Sequence, residues 1–217
     1  METFNKQIER IKNKLLEAKK ADKNLIVFGA NKHKYYLNPP VTELEVMEFE
    51  RKFSVKLPEC YTAFITKVGN GGNSNANSAA GPYFGIYPLG EHTNDLIYDN
   101  PEKYLKYDCN IYPDMTDDYW KSLTNDTEED EDISEEDYEK KLGKIYAGIL
   151  PIGSQGCTYL HTIILNGPHK GRVVNLDMDM QKPHFTFENN FLDWYERWLD
   201  EVISGELITT EPTWFGY

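Results

Sequence analysis

Six large apolar side chains recur at helical spacing near the end of the chain: Phe191, Trp194, Tyr195, Trp198, Leu199 and Val202. A stripe that heavy in aromatic area belongs to a core, not to a binding box, and it predicts a helix from Phe191 to about Ile203. Asn190, with Asp193 three residues on, caps its start, and Gly205 stops it.

Other helices are written the same way. Phe4, Ile8, Ile11, Leu15 and Leu16 make residues 3 to about 19 amphipathic. Thr42 and Glu45 match a capping box inside a Val41–Val46 hydrophobic staple, and Val46, Phe49 and Phe53 mark the buried stripe that follows. Pro58 suits the first position of a further helix carrying Tyr61, Phe64, Ile65 and Val68, which Gly69 ends. Leu25 to Phe28 reads as a short strand. Gly69 to Gly81, GNGGNSNANSAAG, is small and polar and predicts a mobile loop. It is no phosphate cradle, because it follows a helix and contains no lysine.

Tyr83 to Leu89 has strand character, with Pro88 implying an edge or a strand end. Four further β-like pieces follow: Ile149 to Ile152, Thr158 to Leu165, Arg172 to Leu176 and His184 to Phe187. The turn NGPHKG joins the second and third as antiparallel neighbours. With 217 residues, 40% of them hydrophobic, the chain can bury one substantial core, so a single domain with an insertion is expected. METFNKQIERIKNKLLEAKK has no leader character and no later window approaches a membrane span, which predicts a soluble, intracellular, cytoplasmic protein.

Charge is distributed very unevenly. Thirteen of the 36 carboxylates lie between Asp114 and Glu139, where Lys121 is the sole basic residue, so this segment carries about −12 of the −13 formal charge. Such a field repels nucleic acid and anionic lipid and speeds encounter with a basic protein. Candidate partner-binding residues are therefore Asp126, Glu128, Glu129, Asp130, Glu131, Asp132, Glu135 and Glu136 for steering, with Tyr119, Trp120 and Tyr138 as anchors. Ser134 with Asp137, and Ile133 with Tyr138, predict a helix over about Glu135 to Tyr146, leaving Thr124 to Asp132 disordered. A solvated run that only aids solubility is the competing reading.

Reactive chemistry finds little support. His33, His92, His161, His169 and His184 are scattered, and Cys60, Cys109 and Cys157 read as buried free thiols. Asp177 and Asp179 near His184 read as a solvated strand end in preference to a divalent-ion site. Ser154 in PIGSQG lacks the spacing and the following helix of a nucleophile elbow.

The helix Val41 to Phe53, the run LPECYTAFITKVGNGG (Leu57 to Gly72), GIYPLGE (Gly85 to Glu91) and FLDWYERWLDEVI (Phe191 to Ile203) together resemble the SMI1/KNR4 family of the SUKH superfamily. The resemblance covers roughly residues 38 to 204. It implies an α+β fold, a mainly antiparallel sheet with packed helices, and no known catalytic centre; the scattered histidines and cysteines predict no metal site, and no cofactor is expected. Bacterial members are commonly immunity proteins that bind and neutralise toxin domains, often nucleases; a fungal branch is tied to cell-wall synthesis and signalling. The expected function is thus capture of a cognate, basic toxin, with a regulatory or scaffolding role acting through the apolar tail or the sheet surface as the alternative. This chain departs from shorter members in a helical extension at 1–37, the acidic insertion at 100–147 and an aromatic tail at 205–217, which either folds back over a groove or anchors another chain.

Overall fold

The computed structural model describes residues 4–72, 79–128 and 133–210. Its helices are α1 (Asn5–Ala21), α2 (Ala30–His33), α3 (Glu43–Phe53), α4 (Glu59–Lys67), α5 (Asp117–Glu128), α6 (Glu135–Ile145), α7 (Phe191–Ser204) and α8 (Glu206–Thr209), with a 3-10 turn at Pro101–Lys103. Strands β1 (Gly85–Ile86), β2 (Ile149–Gly156), β3 (Tyr159–Ile164), β4 (Val173–Asp177) and β5 (His184–Phe185) form one sheet in sequence order, antiparallel throughout. The α+β architecture is as expected.

Local signals hold up well. Thr42 and Glu45 close the reciprocal capping box of α3: the Glu45 amide donates to Thr42 Oγ1 at 3.2 Å, and the Thr42 amide donates to Glu45 Oε2 at 2.7 Å. Asn190 Oδ1 accepts from the amides of Leu192 and Asp193, and Gly205, at φ +85°, ends α7. Ser134 caps α6 through the Asp137 amide.

The apolar stripe of α7 lies at the centre of the first core. Phe191, Trp194, Tyr195, Leu199 and Val202 are wholly buried. Tyr61 and Phe64 of α4 meet the Phe191 ring edge-on, each with centroids 5.1 Å apart. Helix α1 runs parallel to α7, since Gln7, Arg10 and Lys14 reach Asp193, Glu196 and Asp200 in step. Burial alone would raise the Glu196 carboxyl, but hydrogen bonds from Arg10, Lys14 and Gln7 prevail and hold it at about 2. The N-terminal extension is therefore fastened to the core by charge as well as by Ile8 and Ile11.

Alternation along the strands sends Leu150, Ile163 and Val173 into that helical core. Leu160, Ile164, Val174 and Leu176 point the opposite way, into a second core built from Leu96, Ile97, Ile111, Met115, Trp120, Leu142, Ile145 and Tyr146. The sheet is thus covered on both faces, and the acidic insertion supplies most of the second cover.

Three expectations change. Leu25 to Phe28 is no strand: the buried Asp22 carboxylate accepts from the amides of Ile26 (2.7 Å) and Val27 (3.1 Å) and from the Tyr35 hydroxyl (2.8 Å), and side-chain hydrogen bonding replaces a ladder. Thr124 to Glu128 belong to α5, which starts where the Thr116 hydroxyl accepts from the Tyr119 amide; the rest of the segment expected to be disordered lies outside the described residues. The flanks of the GNGGNSNANSAAG loop are packed tightly, while residues 73–78 lie outside the described residues. Ala79 and Ala80 are fully buried, and a Cβ on Gly71 would stand 2.0 Å from the Pro88 nitrogen. Small residues serve close backbone approach there.

The thiols are not alike. Cys60 is buried and Cys109 half-buried, but Cys157 is exposed at φ +50° in the turn between β2 and β3, where the hairpin points its tip at solvent. Burial raises the Cys60 thiol and pushes that of Cys109 up to about 12. Maleimide labelling of the folded protein should therefore show one fast thiol, removed by Cys157→Ser; a second fast thiol in that variant would contradict this arrangement.

Candidate partner-binding surface

The insertion is a layer anchored from below. Trp120 is 5% exposed, packs in the second core and donates from Nε1 to the Met180 carbonyl at 2.8 Å. Expected as an anchor for a partner, it fastens α5 to its own sheet, because an indole beside an apolar face is better buried there than left in water. Tyr119 is half-buried and donates to the Asn110 carbonyl at 2.9 Å. Tyr138 is half-buried against the same core. Burial raises both phenols, and the neighbouring Tyr98 adds to the effect at Tyr138.

The carboxylates divide into three groups. Asp126 and Glu128 belong to the last turns of α5, while Glu129, Asp130, Glu131 and Asp132 lie outside the described residues. Glu135 and Glu136, with Asp137, stand exposed in the first turn of α6, where the helix dipole favours negative charge. Some of this charge is answered locally. Lys140 pairs with Glu136 at 2.9 Å and Asp137 at 3.2 Å, and Lys182 pairs with Asp117 at 2.6 Å. Hydrogen bonds from Ser134 and then Lys140 keep the Asp137 carboxyl below its usual range, and Lys182 does the same for Asp117.

Folding brings Glu135 and Glu136 to a cleft of about 310 Å³ between α6 and the Pro101–Lys103 turn, which Asp99, Asn100, Lys103, Tyr104, Glu139 and Lys140 complete. Glu139 Oε1 accepts from the Asp99 amide at 2.8 Å, while its Oε2 is shielded from solvent and meets no hydrogen-bond donor. Gly143 lets α6 approach the Tyr104 ring, because a Cβ there would lie 2.3 Å from it. Sequence reading missed Asp99 and Glu139 as parts of one site. They are forty residues apart, and no local pattern joins them.

The alternative of docking through the sheet surface meets an obstacle, since both faces are covered. Asp177, expected at a solvated strand end, is 1% exposed, its Oδ1 accepting from the Asp179 amide at 3.1 Å; Asp179 and His184 are exposed. Among the described residues no three His, Cys, Asp or Glu side chains are grouped to hold a metal ion, and no helix is long and apolar enough to cross a membrane. The aromatic tail from Glu211 onward lies outside the described residues.

No curated protein and no solved structure matches the chain. The sequence pattern of the SMI1 / KNR4 family (SUKH-1) matches residues 40–197, running from the residue before the α3 staple to the middle of α7 and passing through all five strands. That span exceeds half of the chain and contains the whole sheet together with α3 to α6 and the first half of α7, and the protein belongs to the SMI1/KNR4 (SUKH-1) family.

Proposed function

We propose that this chain is a non-catalytic immunity protein that neutralises a bacterial toxin by direct binding, the toxin being a basic, nuclease-type domain. The observation that carries the reading is the crowding of thirteen carboxylates between Asp114 and Glu139, a stretch bordered by helices that Trp120 of α5 and Leu142 of α6 hold to the sheet. A nuclease binds an anionic substrate in a basic cleft, and an inhibitor that competes for that cleft needs negative charge on a rigid support. Membership of the family fits this role. Asp126, Glu128, Glu129, Asp130, Glu131 and Asp132 steer, Glu135 and Glu136 make contact, and Tyr119 and Tyr138 supply half-buried aromatic edges.

The test is kinetic. Reversing Asp130, Glu131 and Asp132 to lysine should slow association with a cognate basic nuclease-type toxin domain by ~10-fold or more at low ionic strength, and the difference should shrink as salt is added. An unchanged association rate would remove the steering role.

A further inference from the structure

Both faces of the sheet are covered, but its two edges differ. Residues 79–82 lie against β1: the Gly85 amide donates to the Pro82 carbonyl at 2.8 Å, and a Cβ on Gly85 would stand 1.6 Å from the Ala79 carbonyl oxygen. Strand β5 ends the sheet on the other side. Val174 faces Phe185, Asn175 faces His184, and the Thr186 amide donates to the Val173 carbonyl at 3.2 Å. An antiparallel ladder turns the polar groups of alternate residues to opposite sides, so the backbone N–H and C=O of Phe185 point away from β4, as do the Phe187 N–H and the Pro183 C=O. No described backbone group accepts from the Phe185 or Phe187 amide. An edge strand in this state is a template for another strand.

A groove of about 490 Å³ opens at this edge, lined by Lys182 to Phe187 together with Arg172, and by Tyr112 to Met115. Phe187 is 87% exposed and Tyr112 38%. Large apolar groups left in water beside unpaired backbone mark a contact surface. The cations of the groove are already engaged: Lys182 pairs with Asp117, while Arg172 donates to the Thr186 carbonyl at 3.0 Å and lies over the Phe185 ring. The wall at Tyr112 to Met115 is also where the acidic segment begins. Asp114 lines the groove, and Asp114 and Asp118 are exposed.

The geometry points to β5 as a docking edge, where a cationic protein adds a strand beside Pro183 to Phe187 and one sheet runs on into the partner. This rests on the proposed capture of a basic toxin and names the surface that holds it. Ladder hydrogen bonds give affinity with little regard to sequence, so selection falls to the surroundings of the edge. Charge complementarity selects a cationic occupant: the thirteen carboxylates from Asp114 onward start at the groove wall, and they repel an anionic strand, including one from a second copy of this chain at −13. Phe187 and Tyr112 supply what long-range attraction lacks, a desolvated contact that slows dissociation.

A short blocked peptide of alternating lysine and valine serves as probe, with a glutamate–valine peptide and a backbone N-methylated lysine–valine peptide as controls. At saturation and low salt, the lysine peptide should slow hydrogen exchange of the Phe185 and Phe187 amides in the isotope-labelled full chain by ~10-fold or more, and neither control should. Phe187→Pro removes one outward amide at an exposed position and should weaken the lysine peptide about two- to ten-fold, as expected for one hydrogen bond, with thermal unfolding unchanged. Salt-sensitive binding that leaves both amides exchanging freely, and that N-methylation and the substitution leave unaltered, would overturn the docking edge while the charge-based function stands. Equal protection by the lysine and glutamate peptides would overturn the cationic occupant. No binding of the lysine peptide at low salt would overturn both the edge and the charge-based reading.

Discussion

Lowering the pH from 6.5 to 4 should remove about 3 kcal/mol of stability for each of two buried histidines. His33 is 2% exposed, its Nε2 has no hydrogen-bond partner, and it is wedged edge-on between the rings of Tyr35 and Trp198. Burial pushes its ring from 6.5 down to about 4. His161 is fully buried beside Trp194; burial again lowers it to about 4, only partly opposed by the Asn175 side chain at 2.8 Å and the Pro82 backbone. Both rings titrate lower folded than unfolded, so within this window the unfolded chain binds more protons. Stability is complete above pH 6.5 and falls as pH drops towards 4. Domains of this size are stable by only about 5–15 kcal/mol, so the combined loss is large.

Three carboxyls held away from their usual range act elsewhere or with the opposite sign. Glu196, held at about 2, contributes stability that is lost only below its unfolded value of 4.5. Burial raises the Asp95 and Glu201 carboxyls, which opposes the loss near the acid end. The stretch from pH 6.5 to 4.5 therefore reports the histidines. Denaturant unfolding at a series of pH values should show the slope there, and His33→Gln should reduce it by about half. A flat profile across that stretch would mean that neither ring is held neutral by the fold.

Trp120→Ala should destabilise the protein by about 3–5 kcal/mol, the usual cost of deleting a buried indole. The loss combines its packing in the second core with the hydrogen bond to Met180, which ties α5 to the segment between β4 and β5. The damage should also be uneven. Trp120 lies on the face of the sheet away from α1 and α7, so hydrogen exchange should accelerate first over residues 111–146 and later, if at all, in α7. A cost below about 1 kcal/mol would show that the insertion does not depend on this anchor. The result also bears on function, since a released insertion would keep its charge and lose its rigid presentation.

Much of the first core was legible from the chain. The stripe of α7, the Thr42–Glu45 box and the Ser134 and Asn190 caps are local patterns, and each folds as its spacing requires. Helix α5 was not legible, because its apolar content is little more than Tyr119, Trp120 and Leu123 among carboxylates. A composition so acidic reads as solvated until a second apolar face is found to cover. The small residues on either side of residues 73–78 misled for a related reason: glycine and alanine signal freedom when read alone and close approach when another backbone lies across them.

The candidate site divides along the same line. Charge is additive along a sequence, so the anionic character of residues 114–139 needed no structure to be seen. Position is not additive. Only the packed sheet, apolar on both faces, decided that Trp120 turns inward and that Asp99 meets Glu139. The chain by itself determined which segments become helix or strand and where its charge accumulates, since both are set by neighbours in sequence. Which side chains were left for a partner was decided by tertiary structure, because burial depends on what folding places across the gap.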